Sequence, residues 1–429
     1  MKRNKDKYHD LLPFPSEKHQ GILISDNNLE ASQSIKKPGK VLYAHDGPLL
    51  RNHNHQIYGT DEVRNRYSKM GQELSYLIRI VQETDEECGK HILIDYDKFS
   101  AIEVPNFKSF IKYFAVRPKA KKIVEDAVKR HDVIIARLPS GIGSLAVKYA
   151  IKHKKPLLTE MVACTKDTYW YHSIKGKLIA YYFYYRQRAI MRNVKYCIYV
   201  TKSFLQKRYP IKGKTISCSN VCIEKVDCEM LIQRICRINN MNSSRPLILG
   251  SVGKLSMRYK GYQDIIRTIA HLKKRSIRFH YHLAGGGDDS YLRKLVRKYK
   301  LEREVTILGP LSHRDVFNFM DKIDVYVQPS RTEGLPRAMI EAMSRACPVM
   351  GSKVGGIPEL VEDGISFESG NLLQIEKALL LLNQDRLLEE ASRSFYKAKE
   401  YENETLVARR ISFYESFLKD HHLTLKTLK

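Results

Sequence analysis

The sequence lacks the cysteine patterns of a disulfide framework and of a zinc site. Its eight cysteines form no CxxC pair, and no spacing of cysteine with histidine resembles a zinc-binding motif. Scattered thiols in a chain of 429 residues are typical of a reducing compartment. We therefore expect a cytoplasmic protein without structural disulfides or a structural zinc ion.

The sequence also lacks a hydrophobic run long enough to cross a bilayer. Its longest wholly apolar run is Leu178 to Tyr185, whereas a spanning helix needs about 20 residues. The basic N-terminal stretch is not followed by the apolar segment that a secretory signal carries. Any membrane contact is therefore expected to be peripheral.

Acidic residues are scarce relative to basic ones. The chain has 47 Asp and Glu against 74 Lys and Arg, a formal net charge of +27. Such an excess attracts phosphate-rich partners, namely nucleic acid, anionic membrane, or nucleotide and lipid diphosphates. The net charge alone does not distinguish among these partners, and a role in solubility explains the basic excess equally well.

Short apolar runs alternate with helical patterns along most of the chain. Near-continuous apolar runs are typical of parallel strands covered on both faces. The predicted strands are 41–44, 132–136, 156–161 and 195–200, then 246–252, 279–285, 304–308, 323–328 and 347–350. This pattern predicts an α/β fold with two Rossmann-like halves. The expected organisation is a loose extension (1–40), a first domain (41–236), a linker (237–246), a second domain (247–395) and a C-terminal helical segment (396–429).

The carboxyl end of the strand 323–328 carries two acids around a predicted helix start. Open α/β sheets bind ligands at this edge, and the stretch that follows is PSRTEGLPRAMIEAM, Pro329 to Met343. We expect a helix over about Leu335 to Arg345 with Pro336 at its first position, where free N–H groups suit a phosphate. Glu333 precedes this helix and Glu341 lies roughly 9 Å along its axis. A capping acid and a solvated acid explain this pair equally well.

Two other strand ends of the second half carry features that suit a nucleotide diphosphate. The stretch 250–261 supplies the cations Lys254, Arg258 and Lys260, which can neutralise a diphosphate. The glycine-rich stretch 283–287 includes Gly285 and Gly286, where a base or ribose can lie against backbone. Three such strand ends in one domain indicate a nucleotide-diphosphate site more specifically than any one of them does.

These motifs together resemble family-4 retaining glycosyltransferases of GT-B fold. The resemblance is carried by Glu333 and Glu341 with their spacing, by VGKLSMRYKG and HLAGGG in the same order, and by VGGIPELVEDG at 354–364. In the first half, ARLPSGIG (136–143) and YVTKSFLQKRYP (199–210) are similar to bacterial capsule and exopolysaccharide members. The similarity extends over about residues 41–395 and implies a GT-B fold with two facing Rossmann-like domains.

The resemblance implies roles for individual residues of the second half. Lys260 would contact the donor diphosphate, Glu333 the donor-sugar hydroxyls and Glu341 the ribose hydroxyls. Lys254 stands where many members have an arginine that binds the diphosphate. The backbone that faces the phosphates and sugar would come from Gly334, Leu335 and Pro336. The resemblance implies no metal and no other cofactor.

In the first half, polar residues are expected at the acceptor side of the cleft. Glu160 stands where many members have a histidine near the reacting centre. The segment 45–59 is expected to follow the first strand as a loop. The acceptor-side candidates are Asp46, Gly47, Arg137, Asp167 and His172. Ordinary surface polarity explains Arg137, Asp167 and His172 equally well.

Two segments of the first half combine basic and aromatic residues. They are 107–122, with Phe107, Phe110 and Phe114 on one predicted helical face, and 175–195, with its aromatic run Tyr181 to Tyr185. This composition suits the interface of an anionic membrane. A face packed on the core with solvated lysines is the alternative for each segment.

The resemblance therefore implies a retaining hexosyltransferase that moves a sugar from a nucleotide donor to an acceptor. We expect the acceptor to be a lipid-linked oligosaccharide and the reaction to take place at the inner face of the plasma membrane. A GT-B nucleotide-sugar epimerase, which needs no acceptor, is one alternative. A non-enzymatic nucleic-acid-binding protein is another, motivated by the charge. The chain has no RRM, KH or helix-turn-helix signature, so we expect no nucleic-acid partner.

Overall fold

The protein is represented by a computed structural model that describes residues 39–60, 62–89, 91–94, 98–107, 110–171, 174–242 and 244–424. The side chains of 65 and 110–114 lie outside this description. Two sheets flanked by helices organise these residues, one sheet in each half of the chain. The α/β class with two Rossmann-like sheets is therefore confirmed.

The first half contains, in its described part, a nine-stranded sheet. The strands are β1 (Lys40–Arg51), β2 (Ile57–Gly59), β3 (Glu73–Gln82), β4 (Ile92–Leu93), β5 (Phe99–Glu103), β6 (Val133–Leu138), β7 (Leu157–Met161), β8 (Tyr196–Tyr199) and β9 (Lys214–Ser217). The order is β4-β2-β1-β6-β7-β8-β9, with β3 paired to β1 and β5. β1, β6, β7 and β8 pair in parallel, so their carboxyl ends lie at one edge.

The stretch 45–59 is a loop only at 52–56, because β1 continues to Arg51 and β2 starts at Ile57. β1 pairs with β6 from Val41 to Ala44, and its register against β3 shifts between Ala44 and Pro48. The strand then continues to Arg51. A bulge of this kind re-aims side chains at a sheet edge. It places the stretch 45–47 beyond the end of the β1–β6 pairing.

The second half contains, among the described residues, a six-stranded sheet. The strands are β10 (Leu247–Val252), β11 (Phe279–Ala284), β12 (Val305–Gly309), β13 (Val325–Gln328), β14 (Val349–Ser352) and β15 (Ser366–Phe367). All neighbouring pairs are parallel, and the order is β12-β11-β10-β13-β14-β15. Chain order therefore reverses between β10 and β13, and a crevice forms at that point of the carboxyl edge.

Helices cover both sheets. They are α1 (Glu62–Tyr67), α2 (Asp85–Gly89), α3 (Phe110–Arg130), α4 (Gly141–Lys152), α5 (Thr165–Trp170), α6 (Ile174–Met191), α7 (Phe204–Arg208), α8 (Cys228–Asn239), α9 (Tyr262–Lys274), α10 (Ser290–Lys298), α11 (His313–Lys322), α12 (Arg337–Ser344), α13 (Leu372–Leu380), α14 (Gln384–Lys399) and α15 (Asn403–Lys419). None of the helices in the described ranges has the length and hydrophobicity that a bilayer-spanning segment requires.

Two helix boundaries differ from the predicted organisation. The polar stretch 237–246 begins inside α8, which ends at Asn239. The C-terminal stretch is two helices rather than one, because α14 ends at Lys399 and α15 starts at Asn403. The predicted boundary between 395 and 396 therefore falls inside α14.

The last helix packs against the first half of the chain. Phe413 and Phe417 of α15 lie 5.7 and 5.1 Å from the ring of Tyr196, measured between ring centroids. Tyr414 lies 5.8 Å from Tyr67 in the same way. The C-terminal end of the chain thus completes the core of the domain that its N-terminal part begins.

One carboxylate of the second half caps a helix of the first. Glu359 accepts hydrogen bonds from the backbone N–H groups of Lys202, Ser203 and Phe204 at 2.7, 2.9 and 3.3 Å. These groups lie at the start of α7, where backbone donors have no partner within the helix. The bonds hold the two halves together on one side of the cleft.

Candidate active site

Lysine and glutamate from two strand ends meet at the crevice between β10 and β13. Lys260 ends a short 3-10 turn after β10, and Glu333 follows β13. Lys260 Nζ lies 2.6 Å from Glu333 Oε1, with both side chains largely buried. The reversal of chain order brings these two predicted site residues together, although 73 positions separate them.

Glu333 is fixed in place by three donors at one of its oxygens. Gln328 Nε2 and Ser330 Oγ donate to Oε1 at 3.0 and 2.8 Å, in addition to Lys260. Tyr326 OH donates to the Gln328 amide oxygen at 2.8 Å and thereby orients the amide. From the described part of the chain, no hydrogen bond reaches Glu333 Oε2, an oxygen that can accept from a sugar hydroxyl.

The turn before α12 packs against the first half. The helix starts at Arg337, and Pro336 is its N-cap with φ −73° and ψ 110°, so the predicted placement of Pro336 at the first helical position was wrong. A Cβ atom at Gly334 would lie 2.2 Å from the carbonyl oxygen of Val162. Leu335 packs against the hydrophobic cores of both halves. The close approach at Gly334 is thus to protein backbone, and it joins the predicted donor loop to the end of β7.

Glu341 is a half-buried carboxylate on α12. Within the described residues no side chain or backbone group forms a hydrogen bond or ion pair with its carboxylate. Burial raises its pKa, and the positive charge of Arg337 and His313 opposes that shift. Because a buried polar group without a partner is unfavourable, such a group is a candidate for ligand binding.

A cavity of about 450 Å³ lies at the carboxyl ends of β10 and β11. Its lining is Val252, Gly253, Lys254, Ala284, Gly285, Gly286, Gly287, Pro310, Leu311 and Val316. Gly285 has φ 149°, and a Cβ atom there would lie 1.8 Å from the Gly253 carbonyl oxygen. The two strand ends approach so closely that only glycine fits. Backbone polar groups and apolar side chains together suit a flat heterocycle.

Glu160, the predicted counterpart of the family histidine, lies inside the first half. It is 1% exposed, with Oε1 3.8 Å from Arg66 Nη1 and Oε2 4.0 Å from Arg137 Nε. Burial alone would raise its pKa, but the positive charge of Arg66, Arg137 and Arg410 outweighs burial and lowers it. Glu160 therefore balances a buried cluster of guanidinium groups. Its role at the reacting centre stays a prediction.

Asp46 and Gly47 lie in the bulge of β1, close to the start of α4. Both Asp46 oxygens accept backbone hydrogen bonds, from Gly141 N at 2.6 Å and from Ile142 N at 2.8 Å. Gly47 N donates to His45 Nδ1 at 2.9 Å. The Asp46 carboxylate thus occupies the N-terminus of α4, and a contact between Asp46 and an acceptor stays a prediction.

The remaining acceptor-side candidates have different surroundings. Arg137 contributes to the buried cluster around Glu160. Asp167 forms an ion pair with Arg208, at 2.8 Å between Oδ1 and Nη1. His172 lies outside the described residues.

Sequence reasoning missed an ion-pair chain across the cleft. Arg337, the first residue of α12, lies 3.1 Å from Glu62 of α1, measured from Nη1 to Oε1. Glu62 also pairs with Arg66 at 3.0 Å, and Arg66 is next to Glu160. The i,i+4 spacing of Glu62 and Arg66 predicts the pair between these two residues. Their other partners, Arg337 and Glu160, are distant in sequence and could not be predicted from spacing. The chain links the donor helix to the buried cluster of the first half.

A metal site is not visible in the described ranges. No group of three or more His, Cys, Asp or Glu side chains is arranged there to hold a metal ion. Transfer without a metal stays a prediction.

Comparison with known proteins finds a family match in the second half of the chain. The family described as glycosyl transferases group 1 matches residues 235–401. Protein CapJ of Staphylococcus aureus is 27% identical over 352 residues, which is 79% of this chain and 85% of CapJ. The amylovoran biosynthesis glycosyltransferase AmsK of Erwinia amylovora is 31% identical over 150 residues, or 33% of this chain and 37% of AmsK.

Solved structures identify the fold. HepE of Anabaena, crystallised in complex with UDP, superposes with a TM-score of 0.59 over 88% of this chain and 100% of HepE, at 16% identity. This similarity confirms the GT-B fold that the motifs implied. The chain therefore has a GT-B fold, and its residues 235–401 match the group 1 glycosyl transferase family.

Proposed function

We propose that this chain, which carries a group 1 glycosyltransferase domain, transfers a hexose with retention from a nucleotide sugar to a lipid-linked oligosaccharide, in the synthesis of a bacterial surface polysaccharide. The names of CapJ and of the amylovoran enzyme AmsK support the polysaccharide context. The UDP in the HepE complex supports a nucleotide-sugar donor.

The donor site is proposed to lie along the carboxyl edge of the second sheet. The cavity at Gly285 and Gly286 would take the base, and Glu341 would accept from the ribose hydroxyls. The single observation that carries the proposal is the half-buried Glu341 carboxylate, to which no described residue donates a hydrogen bond. A diol within reach of that carboxylate would satisfy it.

The chemistry follows from the charges at the crevice. The bond from the anomeric carbon to the diphosphate breaks, and a bond to the acceptor hydroxyl forms on the same face. The hydroxyl proton passes to a phosphate oxygen of the departing nucleoside diphosphate. Lys260, with Lys254 and the backbone N–H groups after Pro336, would stabilise the negative charge that develops. Glu333 would then hold the donor-sugar hydroxyls.

The acceptor is proposed to enter along the first half. Asp46, Gly47, Arg137, Asp167 and His172 remain the candidates for its contacts, with Glu160 behind them. We place the reaction at the cytoplasmic face of the plasma membrane. The eight cysteines, none of them in a disulfide, support a reducing compartment.

Replacing Glu341 tests the donor site. Glu341→Gln is expected to weaken nucleoside diphosphate binding by about 10- to 100-fold, because hydrogen bonds to a charged group contribute about 1.5–3 kcal/mol. Burial raises the pKa of this carboxyl, so its charged form opposes folding at neutral pH. The same variant should therefore be slightly more heat-stable than the wild type. Isothermal titration with UDP and with GDP, beside thermal unfolding, measures both effects.

Matched variants and substrates make this test specific. Glu368→Gln, an exposed acid of the same half, should change neither affinity nor stability. A folded Glu341→Gln protein with unchanged nucleotide affinity would remove Glu341 from the site. Conversion of a nucleotide sugar to its epimer without any acceptor would favour the epimerase instead.

Chelation tests the proposed independence from metal. The lysines and the helix start supply positive charge next to the diphosphate, so transfer should continue at an unchanged rate in excess EDTA. Product formation from a radiolabelled donor measures it. A rate abolished by EDTA and restored by Mg²⁺ or Mn²⁺ would contradict the proposal.

A further inference from the structure

The helix α6 presents a large apolar surface to solvent. Ile174 and Leu178 are each 83% exposed, and Tyr182 and Tyr185 are 63% and 62% exposed. Tyr181 is 47% exposed on the same helix. Single exposed apolar side chains are ordinary, but a contiguous group of this size indicates a binding surface.

Helical geometry divides α6 into three zones. With a rotation of about 100° per residue, these five exposed apolar residues fall within an arc of roughly 100°. Ile179, which is 41% exposed, lies beyond one edge of this arc. The residues that face the protein lie opposite them and are Gly176, Ala180, Gln187 and Met191, all buried. The two edges between these zones carry bases: Lys175 and Arg186 on one edge, Lys177 and Arg188 on the other. A core-facing helix has no need of this outward apolar zone.

The surroundings of α6 are free of negative charge in the sequence. No acidic residue occurs between Asp167 and Glu224. The same stretch contains the bases Lys175, Lys177, Arg186, Arg188, Arg192, Lys195, Lys202, Lys207, Arg208, Lys212 and Lys214. Some of these bases pair with acids, as Lys202 does with Glu400, Arg208 with Asp167 and Lys214 with Asp420. The four bases of α6 itself, which border the apolar zone, complement an anionic surface and oppose contact with a second copy of the same helix.

We propose that α6 lies in the interface of an anionic lipid bilayer, with its outward apolar zone among the acyl chains and its flanking bases at the headgroups. The apolar side chains leave water, and lysine and arginine at the edges meet lipid phosphates. Tyrosine suits this depth because its ring is apolar and its hydroxyl is polar.

The end of α5 extends the same surface. Lys166 Nζ lies 4.4 Å from the centre of the Tyr181 ring, and Lys177 Nζ lies 5.6 Å from that of Trp170. Tyr169 stacks on Phe183 at 4.5 Å between ring centres. Burial mainly raises the pKa of Tyr169, and the negative charge of Asp46 nearby raises it further. The surface thus adjoins the proposed acceptor side, where a lipid-linked substrate would arrive if the proposed transfer is right.

The only tryptophan of the chain is Trp170, so its fluorescence reports on this region alone. The full-length protein is titrated with vesicles of phosphatidylglycerol and phosphatidylcholine in equal amounts, and with vesicles of phosphatidylcholine. We expect a blue-shifted emission and co-sedimentation with the anionic vesicles only. Raising the salt from about 0.1 M to about 1 M shortens the Debye length from about 10 Å to about 3 Å and should release the protein.

Two double variants separate the apolar and the electrostatic parts. Ile174→Ser with Leu178→Ser should lower the vesicle partition coefficient at least about 10-fold. Lys175→Gln with Lys177→Gln should lower it about 20- to 30-fold, roughly fivefold for each base near the surface. The matched controls are Leu373→Ser with Leu380→Ser, and Lys294→Gln with Arg297→Gln, all on the second half, and both should bind as the wild type does.

Several results would overturn the proposal. One is the absence of binding to anionic vesicles at low salt, and another is binding that the two α6 variants leave unchanged. A third is a stable dimer in sedimentation equilibrium that the apolar variant converts to monomer while vesicles are ignored. None of these measurements involves a sugar donor, so vesicle binding and sugar transfer succeed or fail independently.

Discussion

Lys260→Ala is expected to lower the rate constant of sugar transfer by about 100- to 1000-fold, the effect of removing one preorganised group that stabilises charge in a transition state. Lys260 Nζ now pairs with Glu333 Oε1 at 2.6 Å and lies at the crevice where the diphosphate is proposed to leave. The negative charge grows as the bond to the sugar breaks. The loss should therefore appear mainly in kcat rather than in donor affinity.

The matched control for this variant is Lys254→Ala. Lys254 is exposed and lines the neighbouring cavity, so solvent screens its charge and a smaller loss is expected. Steady-state kinetics and equilibrium binding of the nucleoside diphosphate are compared for both proteins. If Lys260→Ala raises KM and leaves kcat unchanged, Lys260 binds the donor without assisting departure.

Glu160→Gln is expected to lower the free energy of unfolding by about 3–5 kcal/mol, because removal of one partner leaves buried charges uncompensated. The change removes the carboxylate that faces Arg66, Arg137 and Arg410, although Arg66 keeps its pair with Glu62. Urea denaturation at neutral pH measures the loss. Glu73→Gln, which breaks the exposed pair of Glu73 with Lys40, should cost no more than about 1 kcal/mol.

The pH dependence of the free energy of unfolding gives a second measurement of the contribution of Glu160. The pKa of Glu160 is lowered, so its stabilising contribution is present above the ordinary glutamate pKa of about 4.3 and is lost as the pH falls through the lowered value. The Glu160→Gln variant has no carboxylate to protonate, so its free energy of unfolding should lack the decrease that Glu160 causes at low pH. The double variant Glu160→Met with Arg137→Met should recover only part of the stability, because Arg66 and Arg410 still lack the carboxylate. If it folds but remains inactive, a role of this buried pair beyond folding is supported.

The sequence was sufficient for most of the architecture of the second half. All five strands predicted there were found, because buried parallel strands are nearly continuous in apolar residues. The crevice was also predictable, since Lys260 and Glu333 both follow strands whose carboxyl ends meet. The spacing of Glu333 and Glu341 placed one acid before α12 and one on it.

The first half was less predictable because its contacts join distant residues. The stretch 45–51 was expected to lie in a loop, but the pairing of β1 with β3 extends the strand after a bulge. Glu160 was correctly placed at the end of β7, while its burial depends on Arg66 from α1 and Arg410 from α15. No local pattern relates these three positions. The predicted apolar face at Phe110 and Phe114 lies outside the described side chains.

The return of α15 to the first half has a consequence for synthesis on the ribosome. Tyr67 and Tyr196 belong to the half that emerges first, but their neighbours Phe413, Tyr414 and Phe417 emerge after the second half. The second half, whose strands and helices are contiguous in sequence, can fold as soon as it leaves the exit tunnel. We therefore expect the first half to be completed after the second. A nascent chain stalled before α15 should be cleaved by protease mainly in its first half.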